Sequence, residues 1–398
     1  MRNGLRIVNR LGELGEIAPF GTSNKVKSHI EFIETKDLGE FGTNNQHFAS
    51  SIDLRILDPL HDADWDRLAG LHPECTFFHT AAWAKVLART YGHNPLYLCF
   101  SRQGKTVALV PMMEITSPLT GRRGVSLPFS DFCQPLLFGE CRQESLMETL
   151  AELGRERNWH YFELRGGKQM LPGSEVAAEK HYGHKLDLTV GPGKLFSNFQ
   201  GSVRRAIRKA EKSGLSVEVT STRKAMLDFY RLHVRTRRRH GLPPQPLPFF
   251  LNIDEEIMKA DLGFMALAKK RTNPIAAAVF FYSGKTALFK FGASDERSHE
   301  SRGNNLVMWE GIKQLCEKGL KTLHFGRTSI GSDGEGLRRF KLSWRTEEQT
   351  IGYFKFALNT GEWEDDNYDG SGFHKQLFRR LPLVLNRFAG SVIYPHLD

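Results

Sequence analysis

The segment HFGRTSIGSDGEGLRRFKLSW (324–344) interleaves glycine with cationic side chains. Gly326, Gly331, Gly334 and Gly336 read as a loop after a strand, bare enough for backbone to approach a ligand closely. That loop would deliver Arg338, Arg339 and Lys341 onto the next element. An ammonium held there can balance the charge that builds on a carbonyl oxygen as an amine attacks an ester or thioester. It can also grip a donor phosphate, and the plain alternative is a surface lysine beside a flexible loop. On the catalytic reading, Lys341→Ala lowers turnover strongly and leaves thermal stability nearly intact.

A second candidate is Asp131, in LPFSDFCQPLL (127–137), between Pro128 and Pro135 and among Phe129 and Phe132. Apolar surroundings would raise its pKa by desolvation and let it accept a proton from an attacking ammonium. Capping a turn is its plainer role. In SVRRAIRKAEK (202–212), Val203, Ile207 and Ala210 share one helical face, and Arg204, Arg205, Arg208, Lys209 and Lys212 occupy the remainder. Arginine binds phosphate through two parallel hydrogen bonds, so Arg204, Arg205 and Arg208 are candidates for a phosphate-bearing substrate. A helix starting near Asn304 would turn its free N–H groups toward a donor phosphate.

These residues sit in a basic chain of 398 residues with a net charge of +10. Residues 201–240 carry twelve Lys/Arg against three acids, a concentration that suits a polyanion such as a phosphate-rich cofactor, tRNA or an anionic lipid. Hydrophobic residues make up 40% and charged residues 25%, enough to bury a real core. No apolar run approaches the ~20 residues that cross a bilayer, and no signal-peptide pattern opens the chain. Five cysteines without a CxxC pair point to a reducing compartment, read as the cytoplasm, and away from zinc. GxxxxGK[ST], GxGxxG after a strand, HExxH and GxSxG are all missing, which removes most nucleotide hydrolases, dehydrogenases and metallohydrolases.

Residues 1–50 lack sustained periodicity and read as an extension with little structure. From there the spacing predicts helices near 62–71 and 80–91, a hairpin of strands 95–101 and 106–115, a helix near 143–157, and strands 159–164 and 184–190. The second half repeats that order: helices near 202–212, 223–240 and 249–260, strands 263–270, 275–282 and 286–293, a helix over 304–318, then strands 321–325 and 349–357. The echo implies a duplicated α/β unit with a mostly antiparallel sheet in each lobe, 51–192 and 193–360. In the tail, 361–398, Phe373, Leu377, Leu381, Val384 and Phe388 recur at helical spacing among Lys375, Arg379, Arg380 and Arg387, with Pro382 interrupting one continuous helix. Such a segment either lies in a membrane interface or docks on its own lobe.

The string FGRTSIGSDGEG (325–336) followed by FKLSW (340–344) resembles the C-terminal signature of FemAB-like proteins, especially the branch linked to exopolysaccharide and PEP-CTERM loci. SVRRAIRKAEKSGLSVEV (202–219), NNLVMWEGI (304–312) and LPFSDFCQPLL resemble further blocks of that family, in order, over roughly residues 53–395. The resemblance implies tandem GNAT-like domains. It also implies transfer of an amino acid from aminoacyl-tRNA to an amine of a cell-wall precursor, with no metal and no covalent enzyme intermediate. The lysine of the family motif falls on Lys341, after Phe340; Arg327 lies in the FGR string, and the Asp131 block falls near the acceptor. The exopolysaccharide branch brings in acyl-CoA as a second donor, although RSHESRGNN (297–305) departs from the R/Q-x-x-G-x-G/A turn that holds coenzyme A pyrophosphate.

The reading with most support is therefore acyl or aminoacyl transfer to an amine of an anionic cell-envelope precursor, in the cytoplasm or at the inner membrane face. An acyl-CoA-dependent N-acetyltransferase acting on a sugar or small amine is the second. A non-catalytic nucleic-acid or membrane-binding protein on a degenerate fold is the third.

Overall fold

The computed structural model describes residues 52–398 apart from 63, 140–142, 169–170, 172–176 and 365–372. The expected extension over 1–50 lies outside the described residues. The first half runs β1 (Asp53–Leu57), α1 (Asp64–Gly70), α2 (Ala81–Tyr91), β2 (Asn94–Arg102), β3 (Lys105–Ser117), β4 (Gly121–Val125), β5 (Leu136–Leu137), α3 (Gln143–Glu156), β6 (Tyr161–Arg165) and β7 (Glu179–Asp187). The second begins with α4 (Gly191–Asn198), α5 (Gly201–Lys212), β8 (Leu215–Thr220), α6 (Arg223–Arg239), α7 (Leu247–Ile253), β9 (Gly263–Lys270), β10 (Asn273–Ser283) and β11 (Thr286–Ser294). It closes with α8 (Gly303–Glu317), β12 (Thr322–Ser329), α9 (Ser332–Ser343), β13 (Glu347–Ala357), β14 (Glu362–Glu364), α10 (Phe373–Arg380) and α11 (Leu383–Ile393).

Each half builds an antiparallel meander that ends on a parallel neighbour: β1-β2-β3-β4 beside β6, and β8-β9-β10-β11 beside β12. The two meanders join in one sheet, because β7 pairs with β12 and β13 inserts between β6 and β7. β13 belongs by sequence to the second half, yet it crosses the expected division at residue 192 and ties the lobes together.

The apolar run of β10 has no polar alternation because helices cover both of its faces. Ala277, Val279 and Phe281 enter one core, and Ala276, Ala278 and Phe280 enter the other. The first core also holds Trp65, Phe77, Phe78 and Trp83 from the N-terminal half, with Phe77 and Phe281 ring centroids 4.7 Å apart. Aromatic burial worth about 1.5–3 kcal/mol per side chain thus joins the lobes.

The expected Gly-rich loop after β12 is instead the helix α9. Gly331, at φ +111, opens the turn, and Gly334 lets the new helix lie against the strand end. A Cβ on Gly334 would stand 1.9 Å from the Ser329 carbonyl oxygen, a backbone atom unable to withdraw. These glycines serve backbone against backbone, not backbone against ligand. Gly334→Ala is expected to destabilise the fold by ~2 kcal/mol, read as a lowered Tm and denaturant midpoint.

Pro382 divides the tail into α10 and α11, as its position predicts. α11 docks on the protein itself: Asn386 and Gly390 are buried, and Gly390 lies under the Pro244 carbonyl. Beyond it, the Tyr394 hydroxyl accepts from Arg237 Nη2 at 2.8 Å.

Candidate functional site

β11 and β12 pair side by side only from Thr286 to Leu288 against Thr322 to His324, then separate. Both strands are irregular where they part. On β11, Val279 pairs with Phe291 and Phe280 with Phe289, so Lys290 is the extra residue of a bulge. On β12 the register against β7 breaks between His324 and Arg327, with Gly326 at φ +71. The loop carrying Asp131 comes from the first lobe to meet this break.

The Gly326–Arg327 peptide lies between two opposite charges. Lys341 Nζ donates to the Gly326 carbonyl at 2.8 Å and to the Arg327 carbonyl at 2.9 Å. The Arg327 N–H, at the other end of the same peptide, faces Asp131 Oδ1 at 3.4 Å. A cation on its carbonyl and a carboxylate on its N–H polarise that amide in one direction. Lys290 Nζ completes the cluster, donating to the Phe129 carbonyl at 2.6 Å and Asp131 Oδ2 at 3.1 Å. Tyr353 of β13 fixes the loop by donating its hydroxyl to the Asp131 carbonyl at 2.9 Å, and the Arg165 and Arg327 guanidinium carbons stand 4.9 and 5.0 Å from its ring centre.

Two expectations are corrected here. Lys341 is 2% exposed, so it is not a surface lysine beside a flexible loop: α9 aims it at carbonyls freed by the β12 irregularity. Burial pushes its ammonium down to about 8, with Asp131 opposing that shift and Lys290 adding to it. Asp131 does not have a raised pKa. Burial would lift it, but Lys290, Arg327 and Lys341 outweigh burial and hold the carboxyl below its usual range. It is a carboxylate at neutral pH, suited to holding cations and a poor proton acceptor.

On the α5 side lies a basic groove of about 400 Å³, with Arg205 and Lys209 facing Arg302 and Asn305 at the start of α8. It continues into a cleft of about 230 Å³ beside Asn304 and Phe340. The structure therefore brings Arg205, Asn304 and Phe340 to one surface. Arg208 is placed elsewhere, 5.6 Å from the ring centre of Phe196, and Arg204 is not among the residues lining the groove. Arg327 lies deeper, 3.2 Å from His181 Nε2.

A larger cleft of about 440 Å³ opens between the lobes, lined among others by Phe132, Gln134, Lys168, Lys185 and His324. Burial, with Lys185 adding and Asp131 opposing, pushes the His324 imidazole down to about 4. In the first lobe the position beside parallel strands β4 and β6 is taken by the chain's own Asp398, 2.6 Å from Arg123 and 3.4 Å from the Tyr161 hydroxyl.

Residues 197–342 match the family model of the acetyltransferase (GNAT) domain. That stretch of the second half is similar to a GNAT domain. Its parted strands β11 and β12 and the α8 N-terminus lie inside the match. Among solved structures, FemX superposes with a TM-score of 0.61 at 15% identity, over 77% of this chain and 98% of FemX. A tandem GNAT protein from the clavulanic acid biosynthesis pathway superposes at 0.51 with 11% identity, over 77% of this chain and 99% of that one. The likeness shows the fold, an α/β architecture of two GNAT units with a mixed sheet. No curated protein matches by sequence.

Lys290, Arg165, His181 and Tyr353 were not anticipated as site residues. A signal existed for Lys290, a lone cation inside the apolar strand TALFKFGA. Arg165 and Tyr353 gave none, since only the insertion of β13 beside β6 brings them together.

Proposed function

We propose that the protein transfers an acyl or aminoacyl group from a phosphate-bearing donor to an amine of an anionic cell-wall or exopolysaccharide precursor. The observation that carries this reading is the Lys341–peptide–Asp131 cluster, in a molecule that also has a basic groove lined by Arg205, Lys209 and Arg302 and a cleft between the lobes. The donor's phosphates lie along Arg205, Lys209 and Arg302, with its carbonyl reaching toward the gap between β11 and β12. The acceptor occupies the cleft, its anionic groups on Lys168 and Lys185. Its amine attacks the carbonyl, a C–N bond forms, and the C–S or C–O bond to the donor breaks. The amine's proton leaves with the departing thiolate or ribose oxygen, directly or through water. The cations around Asp131 supply a positive field to the oxygen on which charge develops.

Calorimetry with coenzyme A and with aminoacyl-tRNA identifies the donor, and mass spectrometry of the product confirms transfer. Arg205→Glu with Lys209→Glu, both at exposed positions, is expected to weaken donor binding about tenfold or more and to flatten its salt dependence. Tm should stay close to wild type. Binding of neither donor, or salt-sensitive RNA binding without turnover, would overturn the proposal.

A further inference from the structure

α11 is inverted for a helix that faces water. Its docked face is Asn386 and Gly390, with Tyr394 beyond, and Asn386 Nδ2 donates to the Phe378 carbonyl at 3.1 Å. The opposite face exposes Val384 (74%), Phe388 (67%), Leu385 (51%) and Val392 (48%), and Leu377 of α10 adds 51%. Helices that end in solvent expose their polar side, so a contiguous apolar face needs an occupant.

The charges around this face say which. Arg379, Arg380 and Arg387 are exposed beside it, and no acidic residue occurs between 376 and 397. Arg238 Nε donates to the Arg379 carbonyl at 3.3 Å, which brings the cationic end of α6 alongside. An apolar strip flanked, among the described residues, by Arg379, Arg380 and Arg387 matches hydrocarbon beneath a layer of phosphates.

We propose that α10 and α11 form a membrane-contact surface that lies flat on a bilayer carrying anionic lipid. Val384, Leu385, Phe388 and Val392 enter the boundary between headgroups and acyl chains, and Arg379, Arg380 and Arg387 bind headgroup phosphates. Among the described residues no helix is long and apolar enough to cross a membrane, so the contact is interfacial. The surface would bring the enzyme to a lipid-linked acceptor, but it stands independently of the reaction proposed above.

The test is sedimentation of the full chain with vesicles of phosphatidylcholine containing phosphatidylglycerol, and with vesicles of phosphatidylcholine alone. The expected result is about tenfold or greater preference for the anionic vesicles. Val384→Glu with Phe388→Glu, at exposed positions, should reduce that binding about tenfold without changing circular dichroism or Tm. Arg379→Glu with Arg380→Glu should remove the anionic preference. Binding that survives the Val384/Phe388 change belongs to another basic face and overturns the proposal. A wild-type dimer that the same change converts to monomer overturns it in favour of a second copy. Binding that appears only after removal of residues 1–50 shows instead that the chain covers this face itself.

Discussion

Lys341→Met is expected to lower kcat/KM by about 10²–10³-fold, the scale of losing one preorganised electrostatic donor. Methionine keeps the length of the side chain and removes its charge. Either change leaves the Gly326 and Arg327 carbonyls without their donor, and Lys341→Ala in addition empties a buried site. It should therefore cost ~3 kcal/mol of stability in addition to activity. The structure thus overturns the expectation that alanine at this position leaves the fold nearly untouched. Turnover of Lys341→Met equal to wild type, measured where both are folded, would remove the residue from the mechanism.

A pH profile separates charge from packing. The Lys341 ammonium titrates at about 8 in the folded protein, against 10.5 for an unperturbed lysine. Wild-type kcat/KM should fall as pH rises through about 8, and that limb should be missing in Lys341→Met. Stability moves the other way. Between about 8 and 10.5 the unfolded chain binds more protons than the folded one, so this group's penalty, ~3 kcal/mol at neutral pH, is relieved as pH rises. Activity falling where stability rises is a signature that general unfolding cannot imitate.

How much of this was legible in the sequence follows from the physics of each part. The paired helices, the β2–β3 hairpin and the β9–β11 meander could be read because hydrophobic period and turn residues are local: the apolar run of β10 and the basic face of α5 needed no partner to identify them. β4 was missed because GRRGV reads as polar and Gly-rich; Gly124 is there because Trp159 packs where its Cβ would be, 2.2 Å away. α9 was missed for a related reason, since three glycines in six residues look like a loop until Ser329 is seen against Gly334. Lys341 and Asp131 were legible as candidates, one by its motif and the other by its aromatic surroundings. Their electrostatics were not. Asp131 stays ionised because Lys290 and Lys341 arrive from the other lobe, and one segment's sequence cannot show charges supplied by another.

Asp131→Asn is expected to give the second large effect, about 10²-fold in kcat/KM, with a diagnostic shift attached. The Asp131 carboxylate raises the affinity of both Lys290 and Lys341 for their protons. Asparagine keeps the shape but withdraws that charge, so the alkaline limb of the activity profile should move below pH 8 by about one unit. Glutamate should not restore the wild-type profile, because one more methylene moves the carboxylate off the two contacts that fix it, 3.1 Å from Lys290 Nζ and 3.4 Å from the Arg327 N–H. Asp131 and Lys341 act on opposite ends of one peptide, so their losses should not add. The double variant Asp131→Asn with Lys341→Met should be about as slow as Lys341→Met alone. Additive losses would instead mean that the two charges serve separate steps, and that the amide between them carries no coupling.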